Sequence, residues 1–130
     1  MTNNNTFMDK EPIGISSITS RKGNLVYELL LTSYLNDDSN EQRLMYNFFM
    51  SSTSAMSDNN KIKMANKNVM DLYSGKEPSA ELLVSDKDGK PLYKMSLVSH
   101  AKNTSLYEGH LRRFEESCYI VEYYSKGRIN

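Results

Sequence analysis

Residues 80–100 read AELLVSDKDGKPLYKMSLVSH. Apolar side chains recur here at every second position. Ala80, Leu82 and Val84 alternate on one arm, and Tyr93, Met95 and Leu97 on the other. Period-two alternation on both sides of a turn-rich segment is the pattern of a β-hairpin with one buried face. The intervening DKDGK supplies Gly89 where a type I turn followed by a G1 bulge needs positive φ. The hairpin therefore predicts an antiparallel sheet, and the remaining segments are read around it.

Upstream the dominant period is helical. In GNLVYELLLTSYLNDD (residues 23–38), Val26, Leu29, Leu30, Ser33 and Tyr34 fall at i, i+3, i+4, i+7 and i+8, with Asn24 as N-cap. This predicts a helix. The same run, with five apolar residues among the seven from Leu25 to Leu31, also fits a buried strand. Ser39 and Gln42 have capping-box spacing, followed by Met45, Phe48, Phe49, Ser52 and Met56 at helical spacing. The SSTS of residues 51–54 weakens the last turn, because short polar side chains compete for backbone hydrogen bonds. A third helix is predicted over 58–74, capped by Asp58. Its stripe is Ile62, Ala65, Val69, Leu72 and Tyr73, and Gly75 and Pro78 end it.

Before these helices, Ile13, Ile15 and Ile18 follow Pro12, which suits a short edge strand. After the hairpin, Ser105 and Glu108 form a second capping box for a short helix, with Leu106, His110, Leu111, Phe114 and Cys118 as its buried stripe. Gly109 costs that helix roughly 1 kcal/mol against alanine. CYIVEYYS then returns to period two, with Tyr119, Val121 and Tyr123 on one side and Ile120 and Tyr124 on the other, predicting a terminal strand. The expected fold is a small α+β domain: two or three N-terminal helices, a small antiparallel sheet built around a β-hairpin, and a C-terminal helix and strand. Residues 1–11 read as a disordered start, 12–126 as the domain and 127–130 as a frayed tail.

The chain has 130 residues, enough to bury a core without metals or disulfides. One cysteine cannot form an intramolecular disulfide, so a reducing compartment fits. The start, MTNNNTFMDKEP, has neither the basic nor the apolar region of a secretory signal. No apolar run approaches the ~20 residues of a membrane span. A soluble, cytoplasmic protein without membrane association is expected. The abundance of Asn (13), Lys (11) and Tyr (9) against four Ala is what an AT-rich gene favours, and points to a phage, another mobile element or a low-GC bacterium.

Motifs for catalysis are missing. Zinc needs three or four ligands, and two histidines with one cysteine (His100, His110, Cys118) supply the bare minimum without any ligand spacing. Cys118 follows Glu115 and Glu116, whose charges would raise a thiol pKa, so it reads as structural rather than nucleophilic. DKDGK resembles the start of a calcium loop, but Leu97 stands where the twelfth-position glutamate is required. There is no phosphate-binding loop and no nucleophile elbow. No enzyme activity, cofactor or metal is expected.

Two features point to macromolecular contact. Lys61, Lys63 and Lys67 lie close together on the predicted helix 58–74, and Arg112, Arg113, Lys102, Lys126 and Arg128 add cations interleaved with tyrosines. Cations contact phosphates and aromatics stack bases. The charge excess is small: residues 61–130 carry twelve basic and nine acidic groups, and residues 1–60 carry four and seven. The second feature is nine tyrosines and eight methionines, types that make adaptable interfaces. Tyr119, Tyr123 and Tyr124 are the candidate contact residues. The leading expectation is a protein-binding module of the inhibitor, immunity, chaperone or mobile-element accessory kind. A nucleic-acid-binding accessory protein comes second, and an enzyme with an unrecognised site third. An uncovered hairpin edge would also permit homodimerisation or strand addition.

Overall fold

A computed structural model describes residues 11–35, 40–54, 60–63 and 75–129, with backbone alone at 60–63 and 126–129. The elements in chain order are strands β1 (Gly14–Thr19) and β2 (Leu25–Ser33), helix α1 (Asn40–Ser54), strands β3 (Asn60–Lys63), β4 (Ala80–Ser85) and β5 (Pro91–Ser99), and helix α2 (Thr104–Ile129). The strands form one antiparallel sheet in the order β3-β1-β2-β5-β4. The class is α+β, as the sequence predicts.

The hairpin of residues 80–100 is present as read. Ala80 pairs with Leu97, Leu82 with Met95 and Val84 with Tyr93, so the two alternating sets share one sheet face. Gly89 has φ +82°, and its N–H donates to Asp86 O at 3.0 Å. Asp86 Oδ1 accepts the N–H groups of Asp88 and Lys90, both at 2.9 Å, closing the turn from within.

Residues 25–33 are a strand, not a helix. β2 is the central strand and is buried on both faces. Leu29 and Leu31 face the helices and Leu30 faces away, all at 0% exposure. A strand apolar on both faces satisfies helical spacing by accident, because almost every position is apolar. β1 forms as predicted but is not an edge. It lies between β2 and β3, and its outer backbone groups are taken by β3. That pairing overrides the first turn of the predicted helix 58–74: Asn60–Lys63 is extended, with Ile62 opposite Ser16. The remainder of that predicted helix, including Lys67, lies outside the described residues, as do residues 1–10 of the predicted disordered start. One helix therefore precedes the hairpin among the described residues, instead of two or three.

Both helices pack on the same sheet face. α1 buries Met45, Phe49 and Thr53. It approaches β1 closely at Gly14, where a Cβ would lie 3.2 Å from the rings of Phe49 and Tyr46. Its last described turn is polar, and its hydroxyls bond to the backbone as the sequence implies: Thr53 Oγ1 donates to Phe49 O at 2.8 Å, and Ser54 Oγ donates to Ser51 O at 2.9 Å. α2 is one continuous helix of 26 residues, so the predicted terminal strand at 118–125 does not exist. Its cap is Asn103, whose Oδ1 accepts the Leu106 N–H at 2.8 Å, two residues before the predicted Ser105 cap. His110, Phe114, Ser117, Cys118, Val121 and Ser125 form its buried stripe, and this helical spacing runs through the stretch that mimics a strand.

The core joins Tyr27, Leu29 and Leu31 of β2 with Tyr93, Met95 and Leu97 of β5, roofed by Met45, Phe49, Phe114 and Val121. Each fully buried leucine there contributes roughly 1.5–3 kcal/mol. Phe48 stacks on Tyr124 with ring centroids 4.3 Å apart, joining the two helices.

Candidate functional site

The outward face of α2 carries four of the eight sequence-predicted contact residues, Arg112, Arg113, Tyr119 and Tyr123. Tyr119 and Tyr123 are one turn apart on a helix whose opposite side is pinned by Cys118 and Val121. Helical geometry thus sends both rings outward. They stack on each other, with centroids 6.5 Å apart and planes 20° apart, and are 69% and 73% exposed. Arg112, Arg113, Glu115 and Glu116 are exposed on the preceding turns. The Arg113 guanidinium lies 3.4 Å from Glu116 Oε1. α2 carries four basic and four acidic residues, so its face has no net charge to offer a phosphate backbone.

Of the other predicted residues, Lys67 lies outside the described residues. Tyr124 turns inward against Phe48. Lys61 and Lys63 belong to β3, opposite Ser17 and Ile15.

Sequence reasoning did not find the polar cluster at the end of the sheet. Tyr27 of β2 pairs with Ser99 of β5, and polar groups from these strands, from α2 and from the segment before β4 meet at this end. Glu28 is fully buried, with Oε1 3.3 Å from His100 Nε2. His110 Nδ1 lies 2.8 Å from Ser99 Oγ, and the His110 ring stacks on Tyr27 with centroids 4.6 Å apart. The Lys76 ammonium donates to Ser99 O. The pairs are 72 and 11 residues apart in sequence: the β2–β5 register brings Glu28 to His100, and the packing of α2 on β5 brings His110 to Ser99.

Ser99 with His110 has the composition of a nucleophile–base pair, but its setting is structural. Ser99 is 3% exposed, its Oγ accepts the Ala101 N–H at 3.1 Å, and His110 is 5% exposed. Burial lowers the His110 pKa, and the neighbouring His100 charge lowers it further. Burial likewise raises the Tyr27 pKa, an effect that Arg113 opposes and Glu116 reinforces.

Cys118 is buried, with a thiol pKa pushed up to about 12, first by burial and then by Glu115 and Glu122. Such a thiol is a packing group, as read from the sequence. Among the described residues no three His, Cys, Asp or Glu side chains cluster to hold a metal ion. No helix among them is long and apolar enough to cross a membrane. No protein-family model, curated protein or solved structure matches the chain.

Proposed function

We propose that the protein acts by binding another protein through the outer face of α2, as inhibitors, immunity proteins, chaperones and phage accessory factors do. The observation that carries this reading is the stacked, exposed pair Tyr119–Tyr123. Each tyrosine can bury ~150–250 Å² against a partner. Their mutual stacking and helical backbone hold them in place beforehand, so little side-chain entropy is lost on docking. Tyrosine and arginine are the types enriched at energetic centres of interfaces, and Arg112 and Arg113 stand about two turns before Tyr119 on the same helix.

The charge balance of α2 favours a protein over a nucleic acid. Glu108, Glu115, Glu116 and Glu122 lie on the same helix as the arginines and would repel phosphates. Catalysis has less support, because the Ser99–His110 pair is buried and already hydrogen-bonded.

The test is capture of partners from the native host with the tagged full chain, with and without nuclease, beside a Tyr119→Ala/Tyr123→Ala variant. The expected result is a stoichiometric protein that survives nuclease and is lost with the variant. Equal capture by the variant overturns the α2 reading. Capture abolished by nuclease transfers the assignment to nucleic-acid binding, which salt titration would then confirm.

A further inference from the structure

β4 stands at one end of the sheet order and bears none of the α2 tyrosines. Glu81, Leu82 and Leu83 are all exposed along it, Leu83 at 52% and Leu82 at 37%. In an antiparallel ladder alternate residues turn their N–H and C=O groups away from the neighbouring strand. Among the described residues no strand pairs with the outer side of β4, which there presents a row of backbone donors and acceptors. Proteins usually blunt such an edge with lysine, proline or a bulge. From Ala80 to Ser85 the only charge is Glu81, and there is no proline. The irregularities sit at the two ends: Ser79 N–H donates to Leu97 O, and the register shifts between Val84 and Ser85.

We propose that this edge takes a second copy of the chain, by antiparallel β4–β4 pairing about a two-fold axis at Leu83. The sequence of β4 is self-complementary in that register. Leu83 meets Leu83, Leu82 meets Val84, and Glu81 meets Ser85, so no like charges face each other. Continuing outward, position 87 of one copy falls opposite position 79 of the other. Lys87 in the hairpin turn then approaches the segment between Glu77 and Glu81. That segment lines an open groove made by Glu77, Pro78, Ser79, Ala80 and Glu81. The two-fold axis repeats the Lys–Glu contact on the other side. Shifting the axis to Leu82 would set Glu81 against Leu83 and lose this match. The dimer joins five strands from each copy into one continuous sheet. Its short seam and peripheral charge pairs fit an association that is reversible and salt-sensitive.

Sedimentation of the full chain from micromolar to near-millimolar concentration tests the proposal. A concentration-dependent monomer–dimer equilibrium is expected, weakening as salt is raised. Leu83→Arg, at an exposed position that the fold tolerates, should be monomeric throughout with an unchanged circular-dichroism spectrum. Lys87→Glu should weaken the dimer about tenfold, and adding Glu77→Lys to it should restore association. A wild-type chain that stays monomeric over the whole range overturns the proposal. So does a dimer that persists in Leu83→Arg, or a Lys87→Glu defect that Glu77→Lys does not relieve. Because α2 is untouched in every variant, failure here leaves the Tyr119–Tyr123 reading to its own test.

Discussion

His110 Nδ1 lies 2.8 Å from Ser99 Oγ, bridging the buried face of α2 to the last residue of β5. Ser99 Oγ already accepts the Ala101 N–H, which leaves its own proton for Nδ1. The arrangement suits a neutral imidazole. Protonation would reverse that hydrogen bond and place a charge against the Tyr27 ring in a site 5% exposed. The His110 pKa accordingly lies below 6.5 in the fold, because of burial first and His100 second. A group whose folded pKa is depressed stabilises the fold fully above its unfolded pKa, and that stability is lost as pH falls toward the folded pKa. The urea midpoint should therefore drop between pH 7.5 and pH 5.5, before most carboxylates titrate. His110→Gln should be less stable at pH 7.5 but show a flatter pH profile. An equally steep profile in the variant would show that His110 is not the group responsible.

Gly14 is a point of close approach between α1 and the sheet. Its side-chain hydrogen faces Phe49 and Tyr46, and a Cβ would come within 3.2 Å of both rings. Phe49 is fully buried and has nowhere to retreat. Gly14→Ala should cost about 1–3 kcal/mol through overpacking. A paired Gly14→Ala/Phe49→Leu variant should recover part of that loss. Equilibrium denaturation measures both, and a neutral Gly14→Ala would mean that α1 sits farther from β1 than described.

Gly109 makes the opposite case. It lies inside α2, and a Cβ there would meet nothing within 4 Å. Replacement by alanine adds no clash and removes the backbone entropy that glycine loses in a helix. Gly109→Ala should stabilise the protein by roughly 0.5–1 kcal/mol. The same denaturation experiment checks it. A destabilised variant would indicate that the helix breaks at this residue instead of running through it.

These contrasts also show which parts of the fold local sequence could express. The hairpin was readable because both its determinants are local: alternation over a few residues, and a glycine at one turn position. β2 was not, because a strand buried on both faces loses its period. In LVYELLL the choice between helix and strand is made by β1 and β5, which lie outside that stretch. The end of α2 misled for a different reason. CYIVEYY is rich in β-branched and aromatic residues, yet Cys118 and Val121 continue a stripe begun at His110 and Phe114. The continuation is visible only when the helix is extended past Cys118. Tyr119 and Tyr123 were still correctly placed on a common side, because a separation of four residues satisfies both periods. The Glu28–His100 pair had no local signature, since its 72-residue separation is closed only by the β2–β5 register.

Cys118 tests the packing of that second half of α2. Its thiol is buried, and its pKa is pushed up to about 12 by burial, Glu115 and Glu122. The thiolate that alkylating and disulfide reagents attack is therefore scarce, as well as shielded, at neutral pH. Labelling by a disulfide reagent at pH 8 should be slow in the native protein and complete within mixing time in denaturant. Because access requires α2 to lift from the core, the native rate should rise in a variant that loosens the helix. Val121→Ala, which removes a fully buried side chain one turn away, is such a variant. It should speed labelling while Tyr123→Ala, on the exposed face, leaves it unchanged. Fast labelling of the native wild-type chain would place Cys118 outside the core, and with it the helical reading of residues 118–125.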